Sequence, residues 1–212
     1  MSQRLAIVLA AGKGTRMKSE LPKVLFPACG RPLVDYVLDA LRQAKIDEVL
    51  VVVGYKEELV REALADRDDV KFVSQTEQLG TGHAVQMCRA HLAKHDGPVL
   101  IVTGDSPMTQ SQSLNQLLEL FDRDRPACVM GTLKHDNPAG LGRIVRDAAG
   151  KFEAIVEEKD ATDEQRKICE VNMSTYVFDC QKLLPMLDQL GNNNRQGEYY
   201  ITDCPGLLKS AG

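Results

Sequence analysis

Short apolar runs rich in β-branched residues, at Leu5–Leu9, Val49–Val53, Val70–Val73, Val99–Val102 and Cys128–Leu133, alternate along the chain with stretches whose apolar residues recur at helical spacing. Strands alternating with helices are the pattern of βαβ units. The clearest helix follows Pro32, where Leu33, Val37 and Leu41 share a face with Val34 and Leu38, while Asp35, Asp39 and Arg42 fall outside it. Further helices are predicted at Glu57–Leu64, Gly82–Ala93 and Gln112–Phe121. Because the apolar runs are continuous rather than alternating, the strands are predicted to lie under helices on both faces of a sheet.

Beyond Leu133 the pattern changes. Arg143–Arg146 and Lys151–Val156 flank Asp147-Ala148-Ala149-Gly150 and predict a hairpin, Glu170–Phe178 predicts another strand, and Asn192-Asn193-Asn194 predicts a loop. The chain shows no internal repeat, low-complexity tract or linker. It therefore predicts one α/β domain over residues 1–212, Rossmann-like, with a mostly parallel central sheet, helices on both faces and an α+β elaboration in its second half.

The 212 residues, 43% hydrophobic and 26% charged, are enough for a sizeable core. The longest apolar run, Leu5–Ala11, falls far short of the roughly 20 residues of a membrane span. With no signal-peptide pattern either, the expected location is cytoplasmic. Cysteines at 29, 88, 128, 169, 180 and 204 form no closely spaced pair, so reduced, buried thiols are expected rather than a zinc or redox motif. A net charge of −4 argues against nonspecific binding to nucleic acid. Residues 1–31 nevertheless carry Arg4, Lys13, Arg16, Lys18, Lys23 and Arg31 against Glu20 alone, which points to a small-anion site inside an acidic chain. The partners implied are small molecules, neither nucleic acid nor membrane, and the sequence admits a homo-oligomer.

The first strand runs straight into Ala10-Ala11-Gly12-Lys13-Gly14-Thr15-Arg16-Met17. Open α/β sheets bind ligands at such carboxyl ends of strands. Met17 occupies the third-glycine position of a dinucleotide fingerprint, and the two glycines are too close together for a Walker A loop. What remains is a turn whose glycines let backbone N–H groups approach a ligand, with Lys13, Arg16 and Lys23 supplying cations, a combination suited to a triphosphate. Arg16 can fork two phosphate oxygens, and Lys23 can act as a mobile point charge.

Leu9-x-x-Gly12-x-Gly14-Thr15-Arg16-Met17, then four residues, then Pro22-Lys23, resembles the signature of the sugar-phosphate nucleotidyltransferases. Glu77–Ala84, Val156–Arg166 and Asn192–Asp203 extend the resemblance over essentially the whole chain, toward the N-acetylglucosamine-1-phosphate uridyltransferase family (UDP-N-acetylglucosamine pyrophosphorylases). No hexapeptide repeats of a left-handed β-helix acetyltransferase domain occur in these residues.

The resemblance implies transfer of a uridylyl group from UTP to N-acetylglucosamine 1-phosphate. A nucleotide-binding part would cover about residues 1–110 and a sugar-binding part about residues 111–212. It implies that Leu9, Gly12, Lys13, Gly14 and Arg16 hold the nucleotide and that Lys23 bridges the two phosphate groups. Gln75, Gly80 and Thr81 would meet the uracil, whose N–H between two carbonyls an amide and turn backbone groups can read. Asp105, after strand Val99–Val102, would hold Mg²⁺, a cation that one carboxylate binds well when phosphates supply further oxygens. Gly142, Glu157 and Asn172 would hold the amino sugar. The sequence departs from the family at Thr103 and Leu141, where tyrosines are usual, and at Met173-Ser174, where Thr-Gly is usual; the family's second metal ligand, an asparagine, would lie further along. Two alternatives stay open: another sugar-1-phosphate nucleotidyltransferase, and a noncatalytic module that binds nucleotide sugars. His91 and His95 have metal-pair spacing without a third ligand and are expected on a solvated helix end. Asn172-Met173-Ser174 matches a glycosylation sequon, which carries no weight without a secretory signal, and His83 is assigned no role.

Overall fold

The computed structural model describes residues 3–14 and 17–212. Strands β1 (Leu5–Ala10), β2 (Pro27–Ala28) and β3 (Arg31–Pro32) precede α1 (Leu33–Gln43), β4 (Glu48–Val53), α2 (Glu57–Ala63) and β5 (Val70–Ser74). Then come α3 (Thr81–Met87), α4 (Arg89–Leu92), β6 (Pro98–Thr103), α5 (Ser111–Asp124) and β7 (Cys128–Lys134). The remainder forms the β8 (Arg143–Arg146) and β9 (Phe152–Val156) hairpin, α6 (Asp163–Arg166), β10 (Glu170–Asp179), α7 (Cys180–Leu187) and α8 (Cys204–Ala211).

Among the described residues eight strands form one sheet in the order β5-β4-β1-β6-β10-β8-β9, with β7 paired to β10; β2 and β3 make a separate small hairpin. β5, β4, β1 and β6 run parallel, and β10 joins β6 antiparallel. The expectation of two covered faces holds residue by residue for β1, β4 and β6, whereas β5, at the sheet edge, is only partly covered and exposes Lys71 and Ser74. Leu5 and Ile7 of β1, Leu50 and Val52 of β4, and Val99 and Ile101 of β6 enter one core, shared with α3, α4, α7 and α8. The alternating residues Ala6, Val8, Val49, Val51, Leu100 and Val102 enter the other, beneath α1, α2 and α5. An apolar run of period one is thus two interleaved faces of period two, each under its own helical layer.

Four expectations need correction. The run Cys128–Leu133 is no further βα repeat: β7 pairs antiparallel with β10 and grows exposed toward its end, because it has no covering layer there. The helix expected over Gly82–Ala93 is broken at Cys88, whose ψ of 2° leaves the helical range. His95 is buried, its Nε2–H donating to the Pro98 carbonyl at 3.1 Å where the chain turns back into β6; His91 remains partly exposed. All six cysteines are free, but only Cys88, Cys180 and Cys204 are buried, while Cys29 and Cys169 are exposed.

Candidate active site

A cleft of about 850 Å³ opens at the carboxyl ends of β1, β5 and β6. Its floor is Leu9 and the turn Gly12-Lys13-Gly14; Lys23 and Asp105 lie on one side, Gln75, Gly80 and Thr81 on another, and Ala139-Gly140-Leu141 close it from the second half of the chain. Nine of the residues expected to act on the nucleotide therefore share one concavity. Arg16 lies outside the described residues.

The turn after β1 is shaped by what its glycines lack. A Cβ on Gly12 would meet nothing within 4 Å, so a ligand has unobstructed access to that backbone. Gly14 has φ +65°, and a Cβ there would lie 2.7 Å from Lys23 Cβ, so glycine lets the turn cross directly over the lysine. Lys23 begins a 3₁₀ turn, Lys23–Leu25, anchored by buried Val24 and Leu25. Its ammonium forms an ion pair with the Asp105 carboxylate. Gly104, just before that aspartate, donates its N–H to the Leu9 carbonyl at 2.9 Å and ties the ends of β1 and β6 together. The Lys13 ammonium lies 5.2 Å over the Tyr55 ring.

Gln75 follows β5 and is 3% exposed. Its carboxamide nitrogen donates to the Gly80 carbonyl at 3.1 Å and lies 2.9 Å from His83 Nδ1. Gly80 has φ +108°, with Tyr199 O 2.5 Å from where a Cβ would sit; Gly82 is crowded by Leu190 in the same way. The Gly82 N–H donates to Tyr199 O at 2.7 Å, and the Tyr199 N–H donates to Leu79 O at 2.8 Å. Two sequence stretches singled out separately, Glu77–Ala84 and Asn192–Asp203, are therefore two sides of one contact. Thr81 lines the cleft, but its hydroxyl already accepts the Ile201 N–H at 3.1 Å.

Gly142, Glu157 and Asn172 adjoin one another beside Leu141. A Cβ on Gly142 would lie 3.5 Å from Asn172 Cβ and 3.6 Å from Glu157 Oε1, and the Asn172 N–H donates to Gly142 O at 2.9 Å. Burial pushes the Glu157 carboxyl above its ordinary value, and the nearby carboxylates of Asp203, Asp160 and Glu198 add to this against a 3.0 Å hydrogen bond from the Thr202 hydroxyl. Asn172 donates to the Tyr176 hydroxyl at 2.6 Å and accepts the Ser174 N–H at 3.2 Å. Ser174, one of the departures from the family pattern, has φ +51° and sits where β10 bulges away from β7 between Asn172 and Tyr176.

Sequence reasoning missed the groups that hold these residues. Arg143 is almost wholly buried, donating to the Leu141 carbonyl and, at 2.8 Å, to Glu158. Glu158, itself partly exposed, also accepts the Gly140 N–H at 3.0 Å, so this one ion pair fixes the Ala139–Leu141 wall. His83 was legible only as a member of the Glu77–Ala84 stretch. Among the described residues no group of three or more His, Cys, Asp or Glu is placed to hold a metal ion, and no helix is long and apolar enough to cross a membrane.

The sequence family described as the MobA-like NTP transferase domain matches residues 6–173. The bifunctional protein GlmU of Listeria monocytogenes is 45% identical over 211 residues, covering 100% of this chain and 46% of that protein. The chain thus spans about half the length of the curated relatives it matches. Its fold is similar to that of a UDP-glucose pyrophosphorylase solved with UDP-glucose (TM-score 0.79, 18% identity, 100% of this chain and 88% of that one). It is also similar to that of a putative glucose-1-phosphate thymidylyltransferase from Bacillus anthracis (TM-score 0.81, 19% identity, 99% and 84%).

Proposed function

The chain belongs to the MobA-like NTP transferase domain family, and on that premise we propose that it transfers a uridylyl group from UTP to N-acetylglucosamine 1-phosphate, releasing pyrophosphate. The observation that carries this reading is the single cleft in which the glycine turn after β1, the Lys23–Asp105 pair and the Gln75–Gly80 edge face one another. The GlmU relatives, matched along the whole chain, support it.

A phosphate oxygen of the sugar phosphate attacks the α-phosphorus of UTP; that P–O bond forms as the bond to pyrophosphate breaks, and the electron pair leaves with the pyrophosphate. No protein nucleophile is required, so positioning and charge stabilisation are the catalytic means. The backbone at Gly12 and Gly14, with Lys13 and Arg16, holds the triphosphate. Lys23 spans the two phosphate groups and stabilises charge at the reacting centre. Gln75, Gly80 and Thr81 hold the uracil, while Gly142, Glu157 and Asn172 hold the amino sugar, which divides the domain into a nucleotide part to about residue 110 and a sugar part beyond it. Asp105 offers the hard oxygen donor that Mg²⁺ prefers, beside a cleft sized for phosphates that would complete its shell. Bound there, Mg²⁺ would neutralise phosphate charge. Free cysteines fit a reducing, cytoplasmic setting.

Pyrophosphate release measured over a matrix of nucleotides and sugar 1-phosphates tests the reading, with UTP and N-acetylglucosamine 1-phosphate expected to be the best pair. Leu141 and Thr103 line the cleft where the family usually carries tyrosines, and this favours a different sugar 1-phosphate as the second reading. A better acceptor in the same matrix would establish it, and no release with any pair would leave a binding module.

A further inference from the structure

Gln75 lies against two hydrogen-bonding groups of one turn. The Gly80 carbonyl can only accept, so the carboxamide atom 3.1 Å from it must be the nitrogen. The second hydrogen of that nitrogen goes to His83 Nδ1, 2.9 Å away, which therefore accepts and leaves the imidazole proton on Nε2. With both hydrogens of the amide committed to the turn, its planar geometry turns Oε1 the other way. That oxygen has no partner among the described residues and is not sealed off, and Gln75 lines the cleft.

We propose that His83 is a positioning residue that locks the Gln75 carboxamide with its oxygen toward the cleft, and so sets a preference for a pyrimidine carrying an N–H at that edge over cytosine. The proposal rests on the reading that Gln75 faces the base. Uracil presents a donor at ring position 3, which Gln75 Oε1 accepts; cytosine presents an acceptor there, which meets the same oxygen as a repulsion. To greet cytosine the amide must flip; its oxygen would then face the Gly80 carbonyl as a repulsion, and His83 must first move its proton from Nε2 to Nδ1 before it can donate to that oxygen. His83 adds the cost of that proton shift to the Gly80 repulsion.

The test compares kcat/KM for UTP and CTP, by pyrophosphate release, and calorimetric affinity for both nucleotides, in wild type, His83→Ala, His83→Asn, Gln75→Ala and the Gln75→Ala/His83→Ala double variant. Thermal unfolding confirms that each folds. His83→Ala should lower the UTP-over-CTP ratio by about 2- to 3-fold, the lower end of the worth of one neutral hydrogen bond, and raise KM for UTP more than it lowers kcat. His83→Asn, whose Oδ1 restores an acceptor near the Nδ1 position, should recover most of the ratio, which a merely structural histidine would not predict. In the Gln75→Ala background the histidine should no longer matter. A ratio that collapses in Gln75→Ala yet stays intact in His83→Ala overturns the role of His83 and leaves base reading by Gln75 standing. A wild-type ratio near one, or one unchanged in Gln75→Ala, overturns both.

Discussion

The Lys23 ammonium and the Asp105 carboxylate are ion-paired on one side of the cleft, one at the start of a 3₁₀ turn and the other just past the end of β6. The lysine is thus held, before any phosphate arrives, beside the aspartate proposed to share the metal. If its charge acts on the departing pyrophosphate, Lys23→Ala should lower kcat by about 10²–10³-fold, roughly 2.7–4 kcal/mol, with a smaller rise in KM for UTP. Steady-state kinetics separate the two; a raised KM with normal kcat would reduce Lys23 to a binding role.

Asp105→Asn should abolish turnover with UTP and Mg²⁺. The pair it breaks is partly exposed, with side chains 36% and 24% accessible, and such pairs contribute about 0–1 kcal/mol, so the thermal midpoint should hardly move. Since one carboxylate cannot complete the octahedral shell of Mg²⁺, calorimetry should find weak binding to the free protein and tighter binding once UTP is present. Micromolar binding without nucleotide, or full activity in Asp105→Asn, would contradict this.

Gly12 and Gly80 make a contrasting pair. Gly80 combines φ +108° and ψ 176°, a region close to exclusive to glycine, with a backbone oxygen 2.5 Å from the would-be Cβ. Gly80→Ala should cost at least about 2 kcal/mol, a fall of roughly 4–8 °C in Tm. Gly12→Ala meets nothing within 4 Å and should leave stability within about 0.5 kcal/mol, while its methyl obstructs nucleotide and weakens UTP binding. Differential scanning calorimetry beside UTP titration checks both.

These contrasts show what the sequence could and could not carry. β1, β4 and β6 with α1, α2 and α5 were legible because a two-sided buried strand must be continuously apolar and a one-sided helix must be periodic; β5, a partly exposed edge strand, was legible from its β-branched and aromatic residues. α7 and α8 were not, because Pro185, Pro205 and Gly206 punctuate them; Asp179 caps the first by accepting the Lys182 N–H, and Pro205 sits in the first turn of the second, where its missing N–H costs nothing. The direction of β7 was illegible, since composition does not distinguish parallel from antiparallel pairing. In the site, residue types and turn glycines could be named. The partners that aim them, His83 on Gln75, Thr202 on Glu157 and Glu158 on Arg143, depend on contacts made only by the folded chain.

Ser174 holds a left-handed backbone, φ +51°, at the bulge that follows Asn172. That conformation costs an L-residue about 1–2 kcal/mol, part of which a glycine returns as extra freedom of the unfolded chain. Ser174→Gly should therefore stabilise the protein by about 0.5–1 kcal/mol, read as a higher urea midpoint at unchanged m-value. A midpoint that falls would mean that the Ser174 side chain makes a compensating contact.

Glu157 links stability to the proposed sugar site. Its carboxyl is raised above the ordinary value, chiefly by burial and then by Asp203, Asp160 and Glu198, while Thr202 opposes the shift. A raised carboxyl keeps its proton in the folded protein at pH values where the unfolded chain has lost it. Over that window, which begins near the ordinary glutamate value of 4.5, the folded state binds more protons and this group's contribution to stability falls as pH rises. At neutral pH the ionised carboxylate is therefore a net burden on the empty protein. Glu157→Gln keeps the size and can still accept from the Thr202 hydroxyl while removing the charge, so it should raise Tm at pH 7–8 and lose that advantage as pH falls toward 4.5. The same change removes the acceptor proposed for the sugar hydroxyls, so KM for the sugar phosphate should rise while UTP affinity stays near wild type. Melting curves across pH, paired with kinetics at neutral pH, test both halves. A variant less stable than wild type at pH 8 would show that the carboxylate is favourably held, and an unchanged sugar-phosphate KM would remove Glu157 from the acceptor site.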